Sequence, residues 1–235
     1  MNHHVLALSA LRCGYGQATV VRDVSLTIVR GEAVALLGRN GMGKSTLLKG
    51  IMGLLPRQGG AVAFEGESLP TGQPHLLAAR GIAYSPQEKA VFQDLSVEEN
   101  LRIAVPDQRR FKAGLARIAG YFPFIAKRLR QKAGTLSGGE QKMMILGRAL
   151  MAQPRLLLID EITEGLQPTV IQRISDVLKT ERKVSAIAML IVEQNVAFAL
   201  ATADRFAVLE HGELGEQGRT DAPDSHARII KELGV

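Results

Sequence analysis

The sequence predicts an α/β fold organised on a parallel sheet, from three observations. The short apolar run Ala33-Val34-Ala35-Leu36-Leu37 leads into the glycine-rich stretch Gly38-Arg39-Asn40-Gly41-Met42-Gly43-Lys44-Ser45, and Thr46 to Met52 then carries apolar residues at helical spacing. That is a buried strand, a turn and a helix. Two further near-continuous apolar runs, Leu156-Leu157-Leu158-Ile159 and Ala188-Met189-Leu190-Ile191-Val192, flank a helical pattern from about residue 169 to 180. Strand, crossover helix, strand is the unit of a parallel sheet. Finally, hydrophobic content is 46% while aromatics make up 4%, with no Trp. Aliphatic side chains therefore build the core.

Residues from about Val5 to Gly66 read as short strands. Val24, Leu26 and Ile28 alternate with Ser25, Thr27 and Val29 ahead of the turn Arg30-Gly31-Glu32, and Ala61-Val62-Ala63-Phe64 ends in the turn Glu65-Gly66. Ile82-Ala83-Tyr84 is a strand stopped by Ser85-Pro86. From about Val97 to Gly147 the pattern is helical and charged. Pro106 and Pro123 divide it into several short helices. Phe206 to Glu210 followed by Gly212-Glu213 reads as a hairpin, and His226 to Leu233 as a terminal helix. There is no internal repeat.

The bulk numbers bound the rest. A chain of 235 residues holds one domain, or one domain with a lobed insertion. The single cysteine, Cys13, allows no internal disulfide and suits a reducing compartment. No His/Cys cluster has zinc spacing. Met1 to His4 runs straight into a strand pattern, so no secretory signal is expected, and the longest apolar run, Ser185 to Val192, is far below the ~18–20 residues of a membrane span. A soluble chain is expected, with any membrane association coming through partners. Net charge is +6, but Lys and Arg are dispersed except at Lys127-Arg128-Leu129-Arg130-Gln131-Lys132, which reads as a solvated helix face or a docking patch.

Gly38 to Ser45 fits G-x-x-x-x-G-K-[ST] in full. Backbone amides of such a loop wrap a phosphate, and the following helix N-terminus adds positive potential. The ligand class implied is a nucleoside triphosphate with magnesium, cradled by Gly38, Arg39, Asn40, Gly41, Met42, Gly43, Lys44, Ser45 and Thr46. Lys44 would neutralise the β- and γ-oxygens and Ser45 would bind the metal. A second glycine-rich loop, Leu136-Ser137-Gly138-Gly139-Glu140-Gln141, opens another helix with Ser137 as a plausible N-cap. One triphosphate hardly needs two cradles. The economical reading is that the second loop grips the nucleotide of another subunit.

Together the two loops resemble the ATPase subunits of ATP-binding cassette transporters, and the resemblance covers nearly the whole chain. It implies a P-loop NTPase, RecA-like parallel-sheet core with an N-terminal antiparallel β subdomain and an inserted helical subdomain. One cassette would occupy residues 1–235, with 1–88 and 146–235 as core and 89–145 as the helical part. It also implies a head-to-tail dimer, each ATP lying between one subunit's Lys44 loop and the other's Ser137, Gly138, Gly139 and Glu140. Carried over residue by residue, Tyr15 in Cys13-Gly14-Tyr15-Gly16 matches the aromatic that stacks on adenine. Gln87 in Ser85-Pro86-Gln87-Glu88 matches the glutamine that contacts magnesium and the attacking water. Asp160 matches the magnesium-side aspartate, and Glu161 the general base.

The chain departs from the family pattern at three places. Ile162 follows Glu161 where most members have Pro, Gln167 replaces a usual aspartate, and Gln194 stands where the family keeps a switch histidine. Glutamine donates a hydrogen bond but carries no proton or positive charge in exchange, so slower hydrolysis is expected. These departures, with Val97-Glu98-Glu99-Asn100-Leu101, resemble the second ATPase of branched-chain amino acid importers and their urea and amide relatives. That branch implies a second, non-identical ATPase, two transmembrane permease subunits and an extracytoplasmic solute-binding protein, with this chain peripheral on the cytoplasmic face of the plasma membrane and no nucleic acid bound. A lipid or lipopolysaccharide exporter ATPase shares the motifs but should keep the histidine. A nucleic-acid-linked ATPase of the superfamily usually carries long insertions that 235 residues do not hold.

Overall fold

A computed structural model describes residues 4–87, 90–105 and 107–234. Pro106 as a helix divider, the subdomain divide at 88/89 and the first three residues lie outside that description. Two sheets stack on one another. The first is antiparallel: β1 (His4–Tyr15), β2 (Ala18–Val29), β4 (Arg57–Phe64) and β5 (Glu67–Ser68), in the order β2-β1-β4-β5. The second contains β3 (Ala33–Leu37), β6 (Ile82–Ser85), β7 (Leu156–Asp160), β8 (Ala188–Glu193), β9 (Arg205–Glu210) and β10 (Glu213–Arg219), in the order β10-β9-β3-β8-β7-β6. All its pairings are parallel except the β9–β10 hairpin.

Every residue of β3, β7 and β8 is buried, because both faces of this sheet are covered. The two-residue period of a strand divides their side chains between two cores. Val34, Leu36, Leu156, Leu158, Leu190 and Val192 face the antiparallel sheet and helix α1 (Lys44–Ile51). Ala35, Leu37, Leu157, Ile159, Met189 and Ile191 face the helical side. Each fully buried Leu or Ile contributes about 1.5–3 kcal/mol relative to exposure.

After α2 (Pro74–Ala79), the stretch between β6 and β7 contains α3 (Val97–Arg102), α4 (Gln108–Tyr121), α5 (Pro123–Lys127) and α6 (Gly138–Met151), then α7 (Pro168–Ser185), α8 (Val196–Thr202) and α9 (Ser225–Leu233) complete the chain. Helix α6 runs unbroken through position 145/146. It packs on α4 and α5 through Gly147, where a Cβ would come within 2.7 Å of Ile118.

Three features differ from the sequence reading. Strands β1 and β2 are each 12 residues long, because register shifts let a long pair bend, with Ala10 and Asp23 at positive φ. Helix α7 continues past Thr180 because Glu181 is buried too, and it stops where Ala186 turns left-handed. The basic group is not a helix face: α5 ends at Lys127, and Arg128 pairs with Glu140 at 2.9 Å. Helices α2 and α8 carried too few periodic residues to be foreseen.

Candidate functional site

Four neighbouring strands, β3, β8, β7 and β6, end side by side at their carboxyl ends, where an open parallel sheet presents ligands. Each releases one part of the candidate site. From β3 comes the phosphate loop. Gly41 and Gly43 hold φ +82° and +100°, conformations closed to most other residues, and Gly43 caps α1 with no side-chain bond. The first-turn amides of α1 are thus left to a ligand. Gly38 crosses so close to β9 that a Cβ would lie 2.5 Å from the Leu209 carbonyl oxygen.

Lys44 and Thr46 are buried, while Arg39, Asn40 and Gly41 are exposed. Lys44 Nζ donates to the carbonyls of Gly38 (2.8 Å) and Arg39 (3.0 Å) and lies 3.1 Å from Glu161 Oε1. Their side chains are 3% and 6% exposed, so the two charges neutralise each other away from water.

From β7 come Asp160 and Glu161. Asp160 accepts from Ser45 Oγ at 2.9 Å and from the Tyr84 hydroxyl at 3.1 Å. Burial nevertheless pushes its carboxyl above the ordinary aspartate value, and burial together with Asp160 pushes the Tyr84 phenol up. Glu161 sits at φ +44°, a conformation that costs an L-residue energy and that clusters at functional sites. Its backbone is fixed on both sides, by Glu161 N to Val192 O (2.9 Å) and by Lys142 Nζ to Glu161 O (3.1 Å). From β8 comes Gln194, whose Nε2 donates to Asn40 Oδ1 (2.7 Å) and Glu161 Oε2 (2.9 Å). From β6 comes Gln87, whose Nε2 donates to Glu161 Oε2 (3.1 Å) and Glu164 Oε2 (2.7 Å).

Glu161 is therefore the hub that Lys44, Gln87 and Gln194 all touch. Tyr15, Val20, Asn40, Gly41, Gly43, Lys44, Ser45, Thr46, Gln87 and Glu161 line one cavity of about 270 Å³, with Tyr15 50% exposed at its edge. Ser137, Gly138, Gly139 and Glu140 do not reach it. Ser137 caps α6 in a reciprocal box: Glu140 N donates to Ser137 Oγ (3.3 Å), and Ser137 N donates to Glu140 Oε2 (3.1 Å). Gly138 instead borders a separate groove with Gln87 and Lys142.

The sequence reading missed four contributors. Tyr84 lies one residue before the strand-breaking Ser85-Pro86, and Lys142 stands five residues after Ser137. Glu164 sits in the loop already noted for Gln167. Glu193 is 2% exposed, accepts from Thr163 N and Oγ1 and from Gln194 N, and has its carboxyl raised by burial. Its only sequence signal is an acid ending an apolar strand.

The family described as ABC transporter matches residues 21–164. The chain belongs to that family. It is the ATP-binding and ATP-hydrolysing subunit of an ABC transporter. Such a subunit works with membrane permease partners. Among the described residues no helix is long and apolar enough to cross a membrane.

The chain is 38% identical over 212 residues to the high-affinity branched-chain amino acid transport ATP-binding protein BraG of Pseudomonas aeruginosa, covering 89% of this chain and 91% of that one. It is 36% identical over 223 residues to a probable branched-chain amino acid transport ATP-binding protein, LivF, of Archaeoglobus fulgidus, covering 94% of each. The lipopolysaccharide export ATP-binding protein LptB of Escherichia coli is 34% identical over 221 residues, covering 91% of this chain and 90% of LptB. A solved ATP-binding subunit of an ABC transporter superposes with a TM-score of 0.85 at 27% identity, over 98% of this chain and 100% of that one.

Proposed function

We propose that this ABC ATPase energises import of branched-chain amino acids or a related small polar solute such as urea or an amide. In this reading it pairs with a second, non-identical ATPase on two permease subunits at the cytoplasmic face, and a binding protein delivers solute from outside. The carrying observation is the similarity to two branched-chain transport ATP-binding proteins along about nine-tenths of this chain and of theirs. Gln194 in the histidine position supports the same branch.

The proposed mechanism starts from the Lys44–Glu161 pair. The phosphate oxygens of ATP offer Lys44 the same negative charge that Glu161 offers now. Once they take it over, Glu161 is free to accept a proton from water, general-base help of ~10²–10⁴-fold. Gln87 and Gln194, already bonded to that carboxylate, keep it oriented. Ser45 and Asp160 present hard oxygen donors 2.9 Å apart, with Gln87 near by, a set suited to Mg²⁺. Bound there, Mg²⁺ would neutralise phosphate charge. Tyr15 would stack on the base, worth ~1–3 kcal/mol. The amides at Gly138 and Gly139, behind the Ser137 cap, would close over the partner's ATP. Residues 89–145 would form the lobe that meets the permease.

The test is to purify the chain with its permease and ATPase partners, reconstitute it and measure ATPase stimulation by the loaded binding protein. Stimulation by leucine, isoleucine and valine, or by urea or amides, supports the reading. The similarity to LptB keeps lipopolysaccharide export as the second reading, and stimulation by that lipid alone would replace import.

A further inference from the structure

The turn between β9 and β10 sits far along the chain, outside residues 21–164, yet it touches the phosphate loop. His211 and Gly212 hold φ +49° and +86°, the paired left-handed conformation of a two-residue hairpin turn. Gly212 N donates to Met42 O at 3.1 Å, and His211 N approaches Met42 Sδ at 3.3 Å. On its other side Gly212 O accepts from Arg22 N at 2.8 Å. Contact there is so close that a Cβ on Gly212 would lie 1.9 Å from the Val20 carbonyl oxygen. Val20 in turn lines the cavity and packs on Gly43, where a Cβ would meet Val20 Cγ1 at 3.2 Å.

The geometry points to the His211–Gly212 turn as a positioning element for the nucleotide cradle. It ties the centre of the phosphate loop, Met42, to β2, whose Val20 lines the cavity with Tyr15. Of the residues on either side of Met42, Gly41 and Gly43 have little conformational preference of their own. A loop with glycines there must be held from outside if its amides are to converge on a phosphate. The turn supplies that hold through two donors that no substitution of a cradle glycine would reveal. This inference rests on the nucleotide-site reading and adds residues to it.

The experiment uses the full chain and nucleotide titration by calorimetry. Met42→Leu removes the sulfur acceptor at similar volume and weakens ATP and ADP equally, about threefold, with the melting temperature of the unliganded chain unchanged. Gly212→Ala displaces the turn and weakens both about tenfold. Gly66→Ala is the control: it has φ +84° in a hairpin turn with nothing near its Cβ, so it pays similar backbone strain and binds normally. Full affinity in Met42→Leu, with Gly212→Ala either as tight or unable to fold, overturns the proposal. Normal ATP binding by Lys44→Ala would overturn the nucleotide-site reading itself.

Discussion

The two glycine-rich loops of this chain both introduce a helix, and they solve the helix N-terminus in opposite ways. At Gly38 to Ser45 the cap is a left-handed glycine with no side-chain acceptor, and the buried lysine beside it is paired with Glu161 from another strand end. At Leu136 to Gln141 the helix caps itself: Ser137 and Glu140 satisfy each other's amides, and the first turn carries an acid. The first loop leaves its helix-end amides without a side-chain cap. The second is stable alone and leaves only its exposed glycine face for whatever docks on it. In the proposed reading, the first loop binds the phosphate and the second is offered to a partner.

Substitutions test that contrast. Lys44→Ala is expected to have the largest effect on binding, lowering ATP affinity at least ~100-fold in calorimetry, since it removes a fully desolvated charge. Glu161→Gln should cut turnover of the assembled transporter ~10²–10⁴-fold while ATP stays bound, read by phosphate release and by a persistent ATP-locked dimer. Ser137→Ala should cost about 1 kcal/mol of stability through the lost cap and reduce turnover only when partnered. If it weakened ATP binding to the isolated chain, the division of labour between the loops would be wrong. Gln194→His should raise single-site hydrolysis several-fold, because imidazole near its pKa can exchange a proton and glutamine cannot. Unchanged hydrolysis would remove Gln194 from the switch position.

The smallest effect concerns Cys13, fully buried beneath Gly50, whose thiol burial pushes up to about 11. The folded chain holds that proton more tightly than the unfolded one, so stability from this group falls as pH rises from its ordinary value of 9.0 toward 11. Maleimide labelling at pH 8 should be slow until denaturant opens the core.

Much of this was legible in the sequence because the core strands are short, apolar and continuous, and because the phosphate pattern needs fixed spacing. Ala33 to Leu37 admits no other reading once a glycine loop and helix follow it. What was not legible depends on long-range placement. Nothing local says that Gln87, Lys44 and Gln194 meet on one carboxylate, since that follows from the strand order β3-β8-β7-β6. Its place at the end of an apolar strand does not say what Glu193 does, which is to hold the segments after two neighbouring strands together. The basic run at 127–132 misled because charge alone does not separate an exposed helix face from an exposed loop.

If ATP seats on Lys44 as proposed, the Lys44–Glu161 contact makes nucleotide capture an exchange, since the incoming triphosphate has to evict an internal rival already seated on the ammonium. Measured affinity then reports the difference between two anions competing for one cation, and it understates how well the cradle grips. Take the rival away, as Glu161→Gln does, and the grip should tighten even as the chemistry stops.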